Sequence, residues 1–212
     1  MFIYRSVGMA KSIATPVTRE HILQAALKRF AHGGYAATSV QQIVDDAHVS
    51  KPALYYYFHD KAGLYQALVS EAQDSRYHLM VEAAKTNGGF RTQLVEILGS
   101  LFDYFNNNRE LMRLSFATLF ASPGELPEEV SHIEKGRRNF EVIHSVMKAA
   151  MKKGEVNVRF DSRELALGFY GHINTYIMAN LLLPGCKLNR AMAGRVVDLF
   201  LTGAGIKKGK RK

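Results

Sequence analysis

Lys51, Pro52, Tyr55 and Tyr56 carry side chains that together can contact a nucleic acid. A lysine can donate hydrogen bonds to guanine O6 and N7 or to a phosphate, and a small apolar side chain can touch a thymine methyl group. Tyrosine hydroxyls can bond phosphates, which positions a protein on DNA without reading the sequence. In a helix, Tyr55 lies one turn after Lys51 and Tyr56 one turn after Pro52, so the four residues share one side.

Two short helices joined by a tight turn are predicted to hold these residues. Ser39 begins the first helix, and Gln42, three residues later, completes a capping box. The turn ends at Ser50, which caps the second helix. Leu54 and Phe58 are one turn apart and are predicted to face inward. This arrangement predicts a helix-turn-helix, whose second helix lies in the DNA major groove; an ordinary helical hairpin with an aromatic edge is the alternative.

From about Thr18 to Leu68 the chain resembles the TetR (tetracycline-repressor-like) family of bacterial transcriptional regulators. The resemblance lies in the segments TREHILQAALKRFAHGGYAATSV, HVSKPALYYYF and HDKAGLYQAL. It implies that a first helix supports the helix-turn-helix and that the lysine opening the fourth helix touches phosphate. Family members often have glycine at the position of His48, and glycine-threonine at 52–53. The DNA contacts that the resemblance implies are Ser39, Gln41, Ser50, Lys51, Pro52, Tyr55, Tyr56, Tyr57 and Lys61.

Charge indicates the partner less clearly than the motif does. The 212 residues carry a net charge of +9, with a pI of about 9.6, which favours a polyanionic partner. Residues 1–61 hold seven Lys or Arg and four Asp or Glu, whereas the final KKGKRK holds five bases and no acid. This basic tail could attract phosphate non-specifically, or it could be only a solvated terminus.

Cysteine usage and hydropathy indicate the cellular compartment of the protein. Cys186 is the only cysteine, so an intrachain disulfide is impossible and a reducing cytoplasm is expected. No apolar run approaches the roughly 18 to 20 residues that span a bilayer, so no membrane contact is expected. Residues 1–16 lack the apolar core of a secretory signal, and Met9 is a more usual first residue than Met1.

The whole chain is predicted to be all-α, with about nine helices and no alternation long enough for a sheet. The first helix is expected to start at Thr18 as its cap and to end at Gly33 and Gly34. Asp60 is expected to cap a fourth helix running to about Lys85. Later helices are expected at 90–107, 109–121, 128–153, 162–183 and, capped by Asn189, 190–202. The predicted organisation is a disordered arm at 1–16, a three-helix DNA-binding domain at 17–62, an effector-binding and dimerisation domain at 63–206, and a basic tail at 207–212.

The larger domain is expected to hold a small hydrophobic effector. Helical bundles commonly bind ligands between helices, in apolar cavities with a few polar groups. His144, His172, Asn174 and Tyr176 are polar groups among apolar ones and are the sharper candidates. A plain aromatic core is the alternative at each position. The candidate pocket comprises Phe102, Phe105, Phe116, Phe120, Phe140, His144, Met147, Tyr170, His172, Asn174 and Tyr176.

The last two predicted helices carry a wide apolar surface. The resemblance implies that they pack against their two-fold mates as a four-helix dimer interface. A dimer can read two half-sites about 34 Å apart or further, whereas a monomer reads one. The alternative is that both faces belong to the core of a monomer. The candidate interface comprises Leu165, Phe169, Ile173, Ile177, Val196, Val197, Phe200 and Leu201.

No enzyme or cofactor motif occurs, because HExxH, paired cysteines, a glycine-rich phosphate loop and a nucleophile elbow are all missing. We therefore expect no catalysis and no cofactor; a metal site built across helices from the scattered histidines is possible but unsupported. The sequence predicts a cytoplasmic homodimeric repressor, nucleoid-associated when bound, that leaves a palindromic double-stranded DNA operator when its effector binds. The alternatives are an activator or a ligand-insensitive regulator on the same scaffold, or a helical small-molecule-binding protein without DNA function.

Overall fold

The computed structural model of the chain describes residues 16–130, 133–156 and 159–203, without the side chain of Pro16. Across these residues the chain forms nine α-helices and no β-strand, which confirms the all-helical prediction. The helices are α1 (Pro16–Ala37), α2 (Val40–Asp46), α3 (Lys51–Phe58), α4 (Lys61–Ala84), α5 (Gly89–Asn107), α6 (Arg109–Leu119), α7 (Ile133–Lys152), α8 (Ser162–Leu182) and α9 (Arg190–Thr202).

Both chain ends fall largely outside this description. Of the predicted arm at 1–16, only the backbone of Pro16 is described, and the basic tail at 207–212 lies outside the described residues altogether. The choice between Met1 and Met9 as the first residue also concerns residues outside it.

Four of the helices begin at side-chain caps that the sequence predicts. The Gln42 backbone N–H donates to Ser39 Oγ at 3.2 Å, and the Ser39 N–H donates to the Gln42 side chain at 2.8 Å, which completes the capping box of α2. Ser50, Asp60 and Asn189 cap α3, α4 and α9 in the same way. Each cap satisfies a helix N–H that has no partner inside the helix, so the helix starts there.

Two predicted helix starts are wrong. The first helix begins at Pro16 rather than after a cap at Thr18, because proline has a fixed φ suited to a first helical position and lacks the N–H that would need a cap. Its regular turn breaks at Gly34, with φ 78° and ψ 169°, near the predicted end. Residues 128–130 do not belong to the helix expected from 128, because the Val130 N–H donates to the Pro127 carbonyl at 3.0 Å in a separate turn; the helix is described from Ile133.

The long helix α4 connects the two parts of the fold. It packs against α1 and α3, which form the small N-terminal unit together with α2. It also packs against α5, α6 and α7 of the larger part. Helix α5 also packs against α9, and α7 packs against α8. The buried side chains form one continuous cluster from Ile22 to Val197. Among the described residues, no helix is long and apolar enough to cross a membrane.

Candidate DNA-binding face and effector cavity

Helix α3 separates an inward apolar side from an outward polar side. Leu54 and Phe58 are buried in the core, as predicted. Lys51 and Pro52 are exposed on the other side. Of the three consecutive tyrosines, Tyr55 is 45% and Tyr56 is 72% exposed. The outward side of α3 therefore presents a lysine and two phenolic hydroxyls from a rigidly seated helix, which is what contact with a phosphate backbone and base edges requires.

Tyr57 and the turn between α2 and α3 help to hold α3 in its orientation. Tyr57 is half-buried, and its ring centre lies 5.1 Å from that of Tyr56 in an edge-on contact. In the turn, His48 has a φ of 54°, a left-handed conformation that glycine adopts more easily. The Val49 N–H donates to the Val44 carbonyl at 3.0 Å, so the turn closes tightly despite the histidine.

The remaining predicted DNA contacts have local partners within the chain. The side chains of Ser39 and Ser50 serve as caps, and Gln41 Nε2 donates to Asp45 Oδ1 at 2.6 Å. All three lie at the exposed surface. Their contact with DNA stays a prediction. The Ser50 hydroxyl and the second Gln41 amide N–H can donate to a phosphate while the cap and the side-chain pair are retained, whereas Ser39 Oγ already donates to Gln42 Oε1 at 3.1 Å.

Lys61 fastens the start of α4 to the corner between α1 and α2. Its Nζ donates to the carbonyl oxygens of Tyr35 at 3.0 Å and Thr38 at 2.9 Å, and lies 4.1 Å from the centre of the Tyr35 ring. Burial lowers the pKa of this ammonium group. These bonds use two of the three N–H groups of the lysine. A contact with phosphate, which stays a prediction for Lys61, would have to use the third.

A small cavity of about 160 Å³ lies inside the larger part of the fold. Its walls come from α4, α5, α6, α7 and α8, and they combine aromatic and aliphatic side chains with a few polar ones. Four of the predicted pocket residues, Phe105, Phe116, Tyr170 and Asn174, are among its lining. The complete lining is Gln73, Arg76, Phe105, Met112, Ser115, Phe116, Leu119, Gly136, Tyr170, Asn174 and Ile177.

The other predicted pocket residues are not among this lining. Phe102 and Met147 are fully buried core residues, and Tyr176 packs against the same core. Phe120 is exposed on the outside of α6. The remaining members are held by neighbours: Phe140 has its ring centre 5.9 Å from that of Tyr170, His144 lies 3.1 Å from both Glu141 and Ser162, and His172 Nδ1 lies 2.7 Å from the Gly168 carbonyl.

Arg76 and Gln73 line the cavity but are not among the predicted pocket residues. One signal in the sequence points to Arg76, because it falls at four-residue spacing between the buried Ala72 and Met80 of α4. An arginine on the buried stripe of a helix is unusual and indicates a partner inside the fold. No comparable signal marks Gln73.

Most of the predicted dimer interface lies in the core of the single chain. Phe169, Ile173, Ile177, Val196 and Val197 are buried there, and Ile177 lines the cavity. They are therefore inaccessible to a second copy, which corrects the face that was expected. Leu165 and Phe200 are half-buried against the same core, and Leu201 is exposed.

Aromatic residues join the small N-terminal unit to α4. The ring centre of Tyr65 lies 5.0 Å from that of Phe30 and 5.3 Å from that of Tyr35, both in edge-on contacts. Arg29 of α1 also makes a two-pronged ion pair with Asp46 of α2, at 2.6 and 2.7 Å. These contacts fix the helix-turn-helix relative to α4, so a movement of α4 would move the outward side of α3.

Comparison with known proteins points to the same segment. Residues 22–68 match the family model described as bacterial regulatory proteins, tetR family. The uncharacterized HTH-type transcriptional regulator YdgC of Bacillus subtilis is 24% identical over 191 residues, covering 88% of this chain and 92% of the relative. The HTH-type transcriptional activator FasR of Mycolicibacterium smegmatis is 30% identical over 112 residues, covering 53% of this chain and 51% of the relative.

A solved structure shares the fold over nearly the whole described chain. The crystal structure of the transcriptional regulator FadR from Bacillus subtilis in complex with stearoyl-CoA matches with a TM-score of 0.76 at 20% identity, covering 88% of this chain and 99% of that one. A helix-turn-helix on a larger helical domain, with regulators as relatives, defines a DNA-binding transcriptional regulator and not an enzyme. Residues 22–68 of the chain carry the DNA-binding segment of the tetR family of bacterial regulatory proteins.

Proposed function

We propose that this regulator is a homodimeric repressor that responds to a ligand. Without effector, the α3 helices of two subunits lie in successive major grooves of a palindromic operator; effector bound in the larger domain releases the DNA. The observation that carries the proposal is the sidedness of α3, whose buried Leu54 and Phe58 leave Lys51 and Tyr56 exposed. The further DNA contacts that we propose are Ser39, Gln41, Ser50, Pro52, Tyr55, Tyr57 and Lys61.

Outward-facing apolar side chains of α8 would bind the second subunit. Leu167 and Leu182 are 57% and 70% exposed, and Met178 is exposed on the same side of the helix. Gly171, between them, would admit a partner helix closely, since a Cβ atom there would have no neighbour within 4 Å. The same patch on both subunits would form the two-fold interface that a palindromic site requires.

The effector that we propose is a small molecule with an apolar part. The ligand of the similar FadR structure is stearoyl-CoA. Met112, Phe116 and Leu119 give the cavity of this chain an apolar side that could pack on an acyl chain. At about 160 Å³, the cavity is smaller than the roughly 300 to 1,000 Å³ of common ligand sites. A long chain would therefore have to displace side chains in the wall.

Helix α6 offers the route from the cavity to the DNA-binding unit. Ser115 and Phe116 of α6 line the cavity. The same helix packs against α1, whose Phe30 contacts the Tyr65 ring of α4. An effector that shifts α6 would therefore change how α1 and α4 hold the helix-turn-helix. An effector that binds the released state about 1.4 kcal/mol more tightly than the DNA-bound state would already change operator affinity tenfold.

Selection of bound sites from random double-stranded DNA, at moderate salt, tests the DNA-binding part. Tyr56→Ala should lose enrichment of the recovered site. Phe120→Ala, which removes an exposed aromatic side chain from α6 instead, is the matched control and should keep it. A palindrome recovered by the wild type and the control supports the proposal. A lone half-site would contradict the dimer, and enrichment that survives Tyr56→Ala would contradict the role of α3.

An activator is the second candidate, and it is favoured by one observation. The relative FasR is described as a transcriptional activator. Transcription in vitro from a template carrying the recovered operator separates the two, because a repressor lowers the yield of transcript and an activator raises it. Adding effector should reverse whichever effect is found.

A further inference from the structure

Arg76 is a buried cation without an acidic partner. Its side chain lies on the buried stripe of α4 and the residue is only 8% exposed. An arginine side chain carries five N–H donors and no acceptor. No carboxylate in the described part of the chain forms an ion pair with it. A buried charge is costly unless it is paired and hydrogen-bonded, so Arg76 needs an explanation.

The contacts that Arg76 does make are weak. Its Nη2 lies 3.4 Å from Tyr170 Oη and 3.5 Å from Asn174 Oδ1, both at the long limit of hydrogen bonding. Its Nε has no hydrogen-bond partner among the described residues. The guanidinium carbon lies 5.7 Å from the centre of the Phe105 ring and 6.0 Å from that of Tyr170. The aromatic rings stabilise the positive charge but give the Nε N–H no acceptor.

Other arginines of the chain have carboxylate partners at short distances. Arg29, Arg91 and Arg190 each reach a carboxylate at 2.6 to 2.7 Å. Those three are at the exposed surface, where an ion pair contributes little. Arg76, which is buried, would therefore gain more from an anionic partner than these three surface arginines do.

The cavity beside Arg76 has one polar and one apolar side. Tyr170 and Asn174 contact the arginine and Gln73 is a further polar lining residue, while Met112 and Phe116 are among the apolar side chains that complete the wall. A cavity of about 150 Å³ holds a molecule the size of benzene, so the 160 Å³ found here admits a carboxylate with a short chain. The neighbouring N–H groups of a guanidinium, Nε and Nη2, match the two oxygens of a carboxylate.

We propose that Arg76 pairs with the carboxylate of an otherwise apolar effector in this cavity. The inference rests on the effector response proposed above and specifies its chemistry. The short chain of the acid lies against the α6 side of the cavity, and the carboxylate accepts from Nε, which has no other partner among the described residues, and from Nη2, whose present contacts are long. A neutral analogue of the same length leaves Arg76 unsatisfied and binds less tightly.

Calorimetric titration of the full chain with hexanoate and hexanol, which share chain length but not charge, tests this pairing. The wild type should bind hexanoate about tenfold or more tightly than hexanol, as expected for a desolvated charge pair. Arg76→Met should abolish that preference and leave hexanol binding unchanged. Arg76→Gln serves the same purpose should the Met variant not fold. Arg91→Met, which removes a surface arginine paired with Asp198, is the matched control and should keep the preference.

Several outcomes would overturn the pairing: equal affinity for hexanoate and hexanol, a preference that survives Arg76→Met, or no binding of either ligand. Calorimetric titration with hexanoyl-CoA is a further test. If it alone binds, and equally to the wild type and Arg76→Met, the anionic group lies elsewhere. Operator binding followed by fluorescence anisotropy separates this inference from the proposed function. Hexanoate that binds through Arg76 without releasing DNA would contradict the ligand response and leave the anion site standing.

Discussion

Tyr65 Oη lies 3.0 Å from Thr118 Oγ1 in the buried contact between α4 and α6. The Thr118 hydroxyl donates to the Leu114 carbonyl at 2.8 Å, so Tyr65 is the donor to Thr118. The ring of the same tyrosine packs against Phe30 of α1. One residue therefore ties the helix that lines the cavity to the helix that supports the DNA-binding unit.

Tyr65→Phe should uncouple these two parts while leaving the ring contacts in place. We expect the free energy of unfolding to fall by about 1 kcal/mol, the usual contribution of one hydrogen bond. Operator affinity without effector should stay close to wild type, and the effector-induced loss of affinity should shrink. Fluorescence anisotropy with and without effector measures both. Thr118→Val, which removes the acceptor from the other side, should do the same; full release in both variants would rule out this bond as the link.

Alkaline pH should destabilise the protein through the same tyrosine. Burial raises the pKa of Tyr65. The folded state thus holds the phenolic proton above about pH 10, where the unfolded chain releases it. The resulting stability is fully present below that pH and is lost as pH rises towards the folded-state pKa. Melting temperature should fall less steeply above pH 10 in Tyr65→Phe than in the wild type; parallel curves would contradict this.

Local sequence signals were sufficient to locate most helix starts. Ser39, Asp60 and Asn189 each follow a loop and precede an apolar periodic segment, and each forms the expected cap. These features depend on residues a few positions apart. Pro16 and Ile133 depart from expectation because a proline and a separate turn, respectively, decide the start in place of a side-chain cap.

The inner and outer faces of α8 could not be told apart from the sequence. Apolar residues occur on both, since Phe169 and Ile173 are buried while Leu167 and Leu182 are exposed. Periodicity identifies an apolar stripe but not the element that covers it. The cavity could not be predicted from the sequence either, because five helices contribute to it and only their packing brings Arg76 beside Tyr170.

Leu167→Glu should weaken the proposed dimer. A charge placed on an apolar interface must be desolvated on association, which costs several kcal/mol without a partner. Sedimentation of the purified variant should show monomer at concentrations where the wild type is dimeric. Ile133→Glu is the matched control, since Ile133 is 72% exposed at the start of α7 and is not part of the proposed patch on α8. Equal dissociation of both variants, or of neither, would contradict the assignment of this face.

Lys51→Ala should weaken DNA binding in a manner that depends on salt. If Lys51 contacts a phosphate, its loss lowers affinity for all sequences and reduces the slope of log affinity against log salt by about one. If it contacts guanine, the selected site loses its preference at one position, by about 1 to 3 kcal/mol. Titrations at several salt concentrations separate the two. Because Lys51 is exposed, thermal stability should not change. An unchanged affinity would remove Lys51 from the DNA-binding face.

Phe116→Ala should lengthen the ligand that the cavity accepts. Phe116 lines both the inner cavity and an outer groove formed with Ala31, Phe120 and Met178, so its ring lies between the two. Removing the ring should join them and let the chain of dodecanoate pass outward while its carboxylate stays at Arg76. We expect dodecanoate affinity to rise about tenfold, with a loss of about 1 to 3 kcal/mol in the free energy of unfolding for a half-buried phenylalanine.

The control for this change is Phe120→Ala, which removes a ring that lines only the outer groove. It should leave the preference between hexanoate and dodecanoate as in the wild type. Calorimetric titration of the three proteins with both acids gives the comparison. If dodecanoate binds Phe116→Ala no better than it binds the wild type, the inner cavity does not extend past this ring, and the effector must be a short acid.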